Sequence, residues 1–257
     1  MYRDIYSMIL PFLSEKDSYK FINGFDDDIL MKDLNFRVAA SHGCLKIMKF
    51  LLKNNEIHDK ILSESFDLAS KGGHLEVITW FDDIHVIGSQ LALKWACKNN
   101  HLNVVKYLCS IGITPMLYDL EYAVFNGNLE LLKYLVSITK QCPSGLAHCA
   151  TIQGRLDIII FLYSQNVNFN DYPANYVSLA CEHGHLDIVI FFYSINITIQ
   201  EQSMIVAAKN NHLHVVKYLC SIGIHPSNWT FHITRLYNNT DILQWFEENS
   251  YLELPYE

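Results

Sequence analysis

The chain has 257 residues, half of them hydrophobic and 18% charged, a balance that favours a folded array over disorder. Its net charge of −8 excludes the lysine and arginine footprint of a phosphate-backbone binder, so no nucleic-acid partner is expected. No apolar stretch approaches the length of a membrane span, and seven cysteines without a CxxC pair do not form a disulfide framework. An intracellular protein is expected from these features, with the cytoplasm favoured over the nucleus and no membrane partner.

Residues 1–33 differ from the rest of the chain. Ile5, Ile9, Leu10, Phe12 and Leu13 form a short amphipathic pattern, and Ser14 with Asp17 three residues on reads as a helix start. Asn23-Gly24 then breaks the pattern, and Asp26-Asp27-Asp28 is a solvated turn or a further helix start. Acid collects at the two ends of the chain. Residues 1–34 carry seven acids and four bases, residues 241–257 carry five acids and no base, and the span between is neutral.

From residue 34 to residue 246 a repeat takes over. Its clearest trace is a phrase that occurs twice, KNNHLNVVKYLCSIGITP at Lys98–Pro115 and KNNHLHVVKYLCSIGIHP at Lys209–Pro226. Eight copies can be anchored on one small residue: Ala39, Ala69, Ala96, Ala123, Ala150, Ala180, Ala207 and Thr234. The anchors keep one constant spacing, lengthened by the same small insertion between Ala39 and Ala69 and between Ala150 and Ala180. A fixed period of this kind marks a stacked array rather than one globular core.

Each column of the repeat makes a physical demand. Four residues past the anchor only glycine or asparagine occurs, the residues that best tolerate the left-handed end of a helix. Three residues before the anchor is usually a large apolar residue, such as Phe36, Phe66, Leu93 or Met204, which gives the first helix a buried face. After the turn come leucine, two aliphatic residues, an unbroken aromatic column from Phe50 to Trp245, and then Leu or Phe. That pattern predicts a second amphipathic helix, with the aromatic column buried. Glu76, Glu130, Asp157, Asp187 and Asp241 fall in its first turn, where the helix dipole favours an acid. Gly112 and Gly223, or Asn55 and Asn166 at the same place, mark its end. Longer loops are expected near residues 54–63 and 165–174. In the last copy Thr234, Asn238-Asn239 and Thr240 replace the usual residues, which predicts a terminal cap that faces water, followed by an acidic tail over residues 247–257.

A helix ending in A-x-x-x-G-H-L, followed by V-V-K-Y-L and a glycine, resembles the ankyrin repeat. Gly73-His74-Leu75 and Gly184-His185-Leu186 carry the turn, and His101 to Leu108 carries the second helix. The likeness is greatest to the short ankyrin units of large DNA viruses. The copies are shorter than the family's own unit and none has Thr-Pro-Leu-His. The resemblance implies an all-α, ankyrin-like solenoid of about eight stacked helix-turn-helix copies, with short turns in place of full fingers. It also implies a non-catalytic protein-protein interaction scaffold that binds a protein partner through its concave face.

The family's concave surface includes the two positions just before the turn glycine. Carried over, these give Lys71, Lys98, Phe125, Ile152, Glu182 and Lys209 at the first position and Asn126, Gln153 and His183 at the second. Phe125 and Ile152 are adjacent apolar members of a mostly polar column, in the middle of the array, and have the character of interface anchors. Residues 1–22, with I-L-P-F-L-S-E-K-D at their centre, read as a helical cap on the first copy. They also resemble the first half of an F-box, which would recruit a ubiquitin-ligase core and make the chain a substrate adaptor. The histidines of Cys181-Glu-His183-Gly-His185 and His212-Leu-His214 sit at repeat columns and lack four ligands at zinc-site spacing, so no metal is assigned. No serine elbow, phosphate loop or paired carboxylate is present, so neither an enzyme activity nor a cofactor is expected.

Overall fold

The computed structural model describes residues 29–169 and 173–251. The N-terminal segment 1–22, read as cap or F-box-like, and the end of the acidic tail, 252–257, lie outside the described residues. Sixteen α-helices and no strand occur among the described residues, two helices to each copy of the repeat.

The chain divides into two compact halves, Met1–Thr139 and Lys140–Glu257. The N-terminal half contains α1 (Ile29–Ser41), α2 (Leu45–Asn54), α3 (Asp59–Gly72), α4 (Leu75–Asp83), α5 (Gln90–Lys98), α6 (Leu102–Ser110), α7 (Leu117–Phe125) and α8 (Leu129–Thr139). The C-terminal half contains α9 (Gly145–Ile152), α10 (Leu156–Ser164), α11 (Pro173–Glu182), α12 (Leu186–Ser194), α13 (Glu201–Lys209), α14 (Leu213–Ser221), α15 (Asn228–Leu236) and α16 (Thr240–Glu248). Within each half the odd-numbered helices pack side by side in chain order, and each even-numbered helix packs against its own partner. Each half is therefore an ankyrin-like stack of four helix pairs.

The division follows an internal symmetry. The step from Ala39 to Ala150 recurs unchanged from Ala69 to Ala180, from Ala96 to Ala207 and from Ala123 to Thr234. The second half thus repeats the first copy for copy, and the twice-written phrase is the third copy met again as the seventh.

The anchors explain how closely the helices pack. All eight are 0% exposed, and a methyl group is the largest side chain among seven of them. Thr234 is as buried as the alanines it replaces, and its hydroxyl donates to the Thr230 carbonyl at 2.6 Å. Asn239 is also buried. The expected water-facing cap is thus confined to Asn238 and Thr240, because the seam with the seventh copy still has to be filled.

The aromatic column is only half-buried in every copy. The residue after it forms the core: Leu51, Phe81, Leu108, Leu135, Leu162, Phe192, Leu219 and Phe246 are all 0–1% exposed. One residue turns a helix by about 100°, which moves the aromatic ring to the edge of the apolar face. There it bridges neighbouring copies. The Tyr107 hydroxyl donates to Asp82 at 2.8 Å, and Tyr163 meets Phe191 edge to face at 5.8 Å.

The two longer spacings are used differently. At 165–172 the connection is long, as expected, and Pro173 opens α11, a position where its missing N–H costs nothing. At 54–63 the extra residues lengthen a helix instead. α3 has 14 residues where α5 and α7 have nine, with Asp59 in its first turn and Ile61 buried. Asn55 is likewise not a left-handed stop: its φ is −140° and its amide donates to the Leu51 carbonyl at 3.0 Å.

The prediction from this core concerns two adjacent residues of α8. Leu135→Ala is expected to cost about 2–5 kcal/mol and Tyr134→Ala distinctly less, about 1–2 kcal/mol, in urea unfolding. Equal costs would place the aromatic ring in the core after all.

Candidate partner-binding surface

The surface starts from the turn between the two helices of a copy. Gly43, Gly73, Asn100, Gly127, Gly154, Gly184, Asn211 and Asn238 all have φ between +56° and +78°, as the glycine and asparagine column requires. The chain then doubles back, and the fifth residue past each anchor returns its N–H to the anchor's own carbonyl, as in His74 N–H to Ala69 at 3.0 Å. That closes the first helix.

The side chain of this same fifth residue ties one copy to the one before it. His74 Nε2–H donates to the Ser41 carbonyl, His101 to Lys71, His185 to Ile152 and His212 to Glu182, at 2.9–3.0 Å. Only Nε2 can carry the proton in such a bond, because the carbonyl has none to give. Burial holds the His74 and His212 rings below the ordinary imidazole value, so both are neutral in this role at pH 7. In the eighth copy Asn239 replaces histidine and its amide reaches the Ala208 and Lys209 carbonyls at 2.6 and 2.9 Å.

The choice between histidine and asparagine follows from the preceding turn. An ideal Cβ on Gly73 would lie 2.5 Å from Nδ1 of His101, and one on Gly184 would lie 2.6 Å from Nδ1 of His212. The ring occupies the space that glycine leaves. Asn100 and Asn211 carry a Cβ there, and the next copies present Asn128 and Asn239. Glycine is followed by histidine at four seams, 43/74, 73/101, 154/185 and 184/212, and asparagine by asparagine at two, 100/128 and 211/239.

These bonds determine which of the expected site residues face outward. The carbonyls of Lys71, Lys98, Ile152, Glu182 and Lys209 are all bonded to the following copy, so the backbone beneath those side chains is fixed. Lys71, Lys98, Phe125, Glu182 and Lys209 are exposed, Phe125 to 67%, and Ile152 is half-buried. At the second position Gln153 is exposed, whereas two other side chains serve the scaffold. Asn126 donates to the Cys97 and Lys98 carbonyls at 3.0 and 3.1 Å, and a His183 ring nitrogen bonds the Leu179 carbonyl of its own helix at 3.0 Å. Phe125 and Ile152 belong to different halves.

The helix face extends one turn further back than the two positions before each turn residue. In the N-terminal half, the Lys71 ammonium lies 4.8 Å from the centre of the Trp95 ring, and Lys98 lies 5.3 Å from the same ring and 5.9 Å from Tyr122. Lys94 lies 5.3 Å from Tyr118. Each is within cation–π range. The spacing signal was present in the sequence: Leu91, Lys94, Trp95 and Lys98 on α5, and Tyr118, Tyr122 and Phe125 on α7, fall on one helical stripe.

A second exposed set lies on α10 and α12 of the C-terminal half. Ile160, Tyr163, Ile190 and Tyr193 are 43–48% exposed. The matching positions four copies earlier are Lys49, Leu52, Thr79 and Asp82.

Cys97 and Cys181 are fully buried, and burial pushes the Cys181 thiol up to about 12. Among the described residues no three His, Cys, Asp or Glu side chains are grouped to hold a metal ion. Asp119 is the one strongly shifted carboxylate among the described residues. It caps α7 by accepting from the Met116 N–H at 2.8 Å, its other oxygen is buried without a hydrogen-bond partner, and burial raises it to about 6.

Among comparisons with known proteins, no curated protein matches the chain. The family model described as ankyrin repeats, in three copies, matches residues 120–203, from α7 to α13. None of the described helices is long and apolar enough to cross a membrane.

The turns and Asp119 each give a prediction. Asn128→His is expected to destabilise the chain by about 1–3 kcal/mol through its clash with Asn100, and adding Asn100→Gly should recover most of that loss in a double-mutant cycle. Simple additivity would sever the link between the two positions. Asp119 has its folded value above its unfolded one of 3.8, so its contribution is full below that unfolded value and is lost as the pH rises through about 6. Asp119→Asn should therefore raise the unfolding free energy by about 1–2 kcal/mol at pH 8 and change little at pH 4.

Proposed function

We propose that the chain is a non-catalytic protein-protein interaction scaffold, and that a protein partner docks on the first-helix face of its N-terminal half, the side the ankyrin resemblance makes concave. Ankyrin repeats are modules of protein-protein interaction, and a family model that describes three such repeats matches residues 120–203. Repeat stacks offer long modular surfaces built from neighbouring copies rather than closed, water-excluding pockets.

The observation that carries the choice of face is internal to the molecule. α3, α5 and α7 carry Lys71, Lys94, Trp95 and Phe125, and the same four positions in the C-terminal half are Glu182, Ile205, Val206 and Leu236. The fold is built equally well with either set, so packing does not demand the first one. Large side chains fixed on a rigid backbone lose little entropy on binding, which suits interface anchors. Of the residues expected from sequence, Lys71, Lys98 and Phe125 make up this face with Trp95 and Tyr122. Ile152, Gln153, Glu182 and Lys209 form the corresponding row of the other half, and Asn126 and His183 hold the turns behind it.

Phe125→Ser in the full chain should leave the thermal melt within about 2 °C, since the ring is 67% exposed, and should reduce capture of a selected protein or peptide binder by tenfold or more. A large fall in the melting temperature would make Phe125 part of the core and remove the proposed surface.

A further inference from the structure

We infer that the N-terminal half recognises an extended acidic segment, with carboxylates three residues apart and an aromatic residue three further on. This inference rests on the docking face proposed above and specifies its partner's chemistry.

The argument begins with one indole. Trp95 has the Lys71 ammonium 4.8 Å and the Lys98 ammonium 5.3 Å from its centre, so the two cations are no more than about 10 Å apart. Both lysines are exposed, and the ion pairs formed among the described residues, Arg37–Glu64, Lys106–Glu130 and Arg155–Asp157, use neither of them. Two like charges gathered at one ring repel each other, and carboxylates placed beside the two ammonium groups relieve that repulsion. The aromatic ring also restricts the lysine stems, which lowers the entropy lost when an anion binds.

Charge and shape then continue along the face. Lys94 sits over Tyr118 on the same helix stripe, and Phe125 stands one copy beyond Lys98. Glu121 is the acid on this part of α7, and it sets the order: acidic residues of the partner belong beside Lys71 and Lys98, and its apolar residue belongs beside Phe125. Packed helices stand about 8–10 Å apart, and a polyproline II chain brings every third residue to the same side at about 9 Å. The ladder and such a segment therefore share one period. The C-terminal half, with Glu182 in place of Lys71 and Val206 in place of Trp95, lacks this recognition chemistry.

The test uses the full chain and a rhodamine-labelled peptide, Glu-Pro-Ser-Glu-Pro-Ser-Phe, read by fluorescence anisotropy. Its counterpart with lysine for both glutamates is the control. The acidic peptide should bind at least tenfold more tightly than the control and weaken as salt is raised. Lys71→Glu with Lys98→Glu should cost a further tenfold or more. A second variant, Lys71→Glu with Lys94→Ile and Trp95→Val, installs the residues of the C-terminal half. It should keep the helical circular dichroism and melting of the parent while losing the peptide. Equal binding of acidic and basic peptides, or acidic binding that survives both variants, overturns the inference. Peptide display on the same full chain separates this from failure of the face. Neutral apolar peptides lost on Phe125→Ser but retained by Lys71→Glu/Lys98→Glu would keep the face and reject the acidic partner. Binders indifferent to all of these changes would reject both.

Discussion

Everything in each half hangs on one kind of hydrogen bond repeated at successive seams, from a side chain at the turn, the one that opens the second helix or, in the fourth copy, Asn126, to the last carbonyls of the preceding first helix. It satisfies acceptors that a helix end leaves open, and it does so across copies, so closing one helix and joining two copies are the same event. A left-handed residue must stand immediately before it, and a small anchor must stand five residues earlier, or the chain cannot return to the right place. With those carbonyls fixed, the side chains that project beside them are held on a stiff frame. Function can then vary at those side chains without disturbing the fold.

Much of this was legible in the sequence, because repetition turns single residues into columns. A column restricted to glycine and asparagine has one physical explanation, and all eight members have positive φ. The buried alanines and the large residues three positions before them were equally plain. The aromatic column was misread for a local reason. Two adjacent apolar residues both lie on a wide helical face, and only the position of neighbouring copies decides that Leu135 is sealed while Tyr134 bridges. The extra turn of α3 was missed because insertion length alone does not say whether added residues coil or extend a helix. Of the candidate surface, Lys71, Lys98 and Phe125 are exposed, while the Asn126 and His183 side chains bond backbone. Trp95 and Tyr122 lie one turn further back on the same stripe, beyond the two positions that the resemblance singles out.

The comparison of the halves separates scaffold from surface without any relative to consult. Positions that agree between the halves, such as Gly73-His74-Leu75 and Gly184-His185-Leu186, are those whose geometry the turn dictates. Positions that differ although their surroundings agree are free of that demand. By this measure Lys71, Lys94 and Trp95 distinguish the first half. Ile160, Tyr163, Ile190 and Tyr193 distinguish the second, on its even-numbered helices and not on the first-helix row. The two halves share a frame and present different chemistry.

The pairing of glycine with histidine and of asparagine with asparagine also constrains how such a gene can grow. A tandem copy of the third repeat alone would set Asn100 against a histidine and close on a ring with no room for it. A step of four repeats carries each turn together with the neighbour that fits it. The interval from Ala39 to Ala150 is one such step, so the steric rule at a single turn bears on which repeats can be copied alone: the second, with Gly73 and His74, fits its own copy, and the third, with Asn100 and His101, does not.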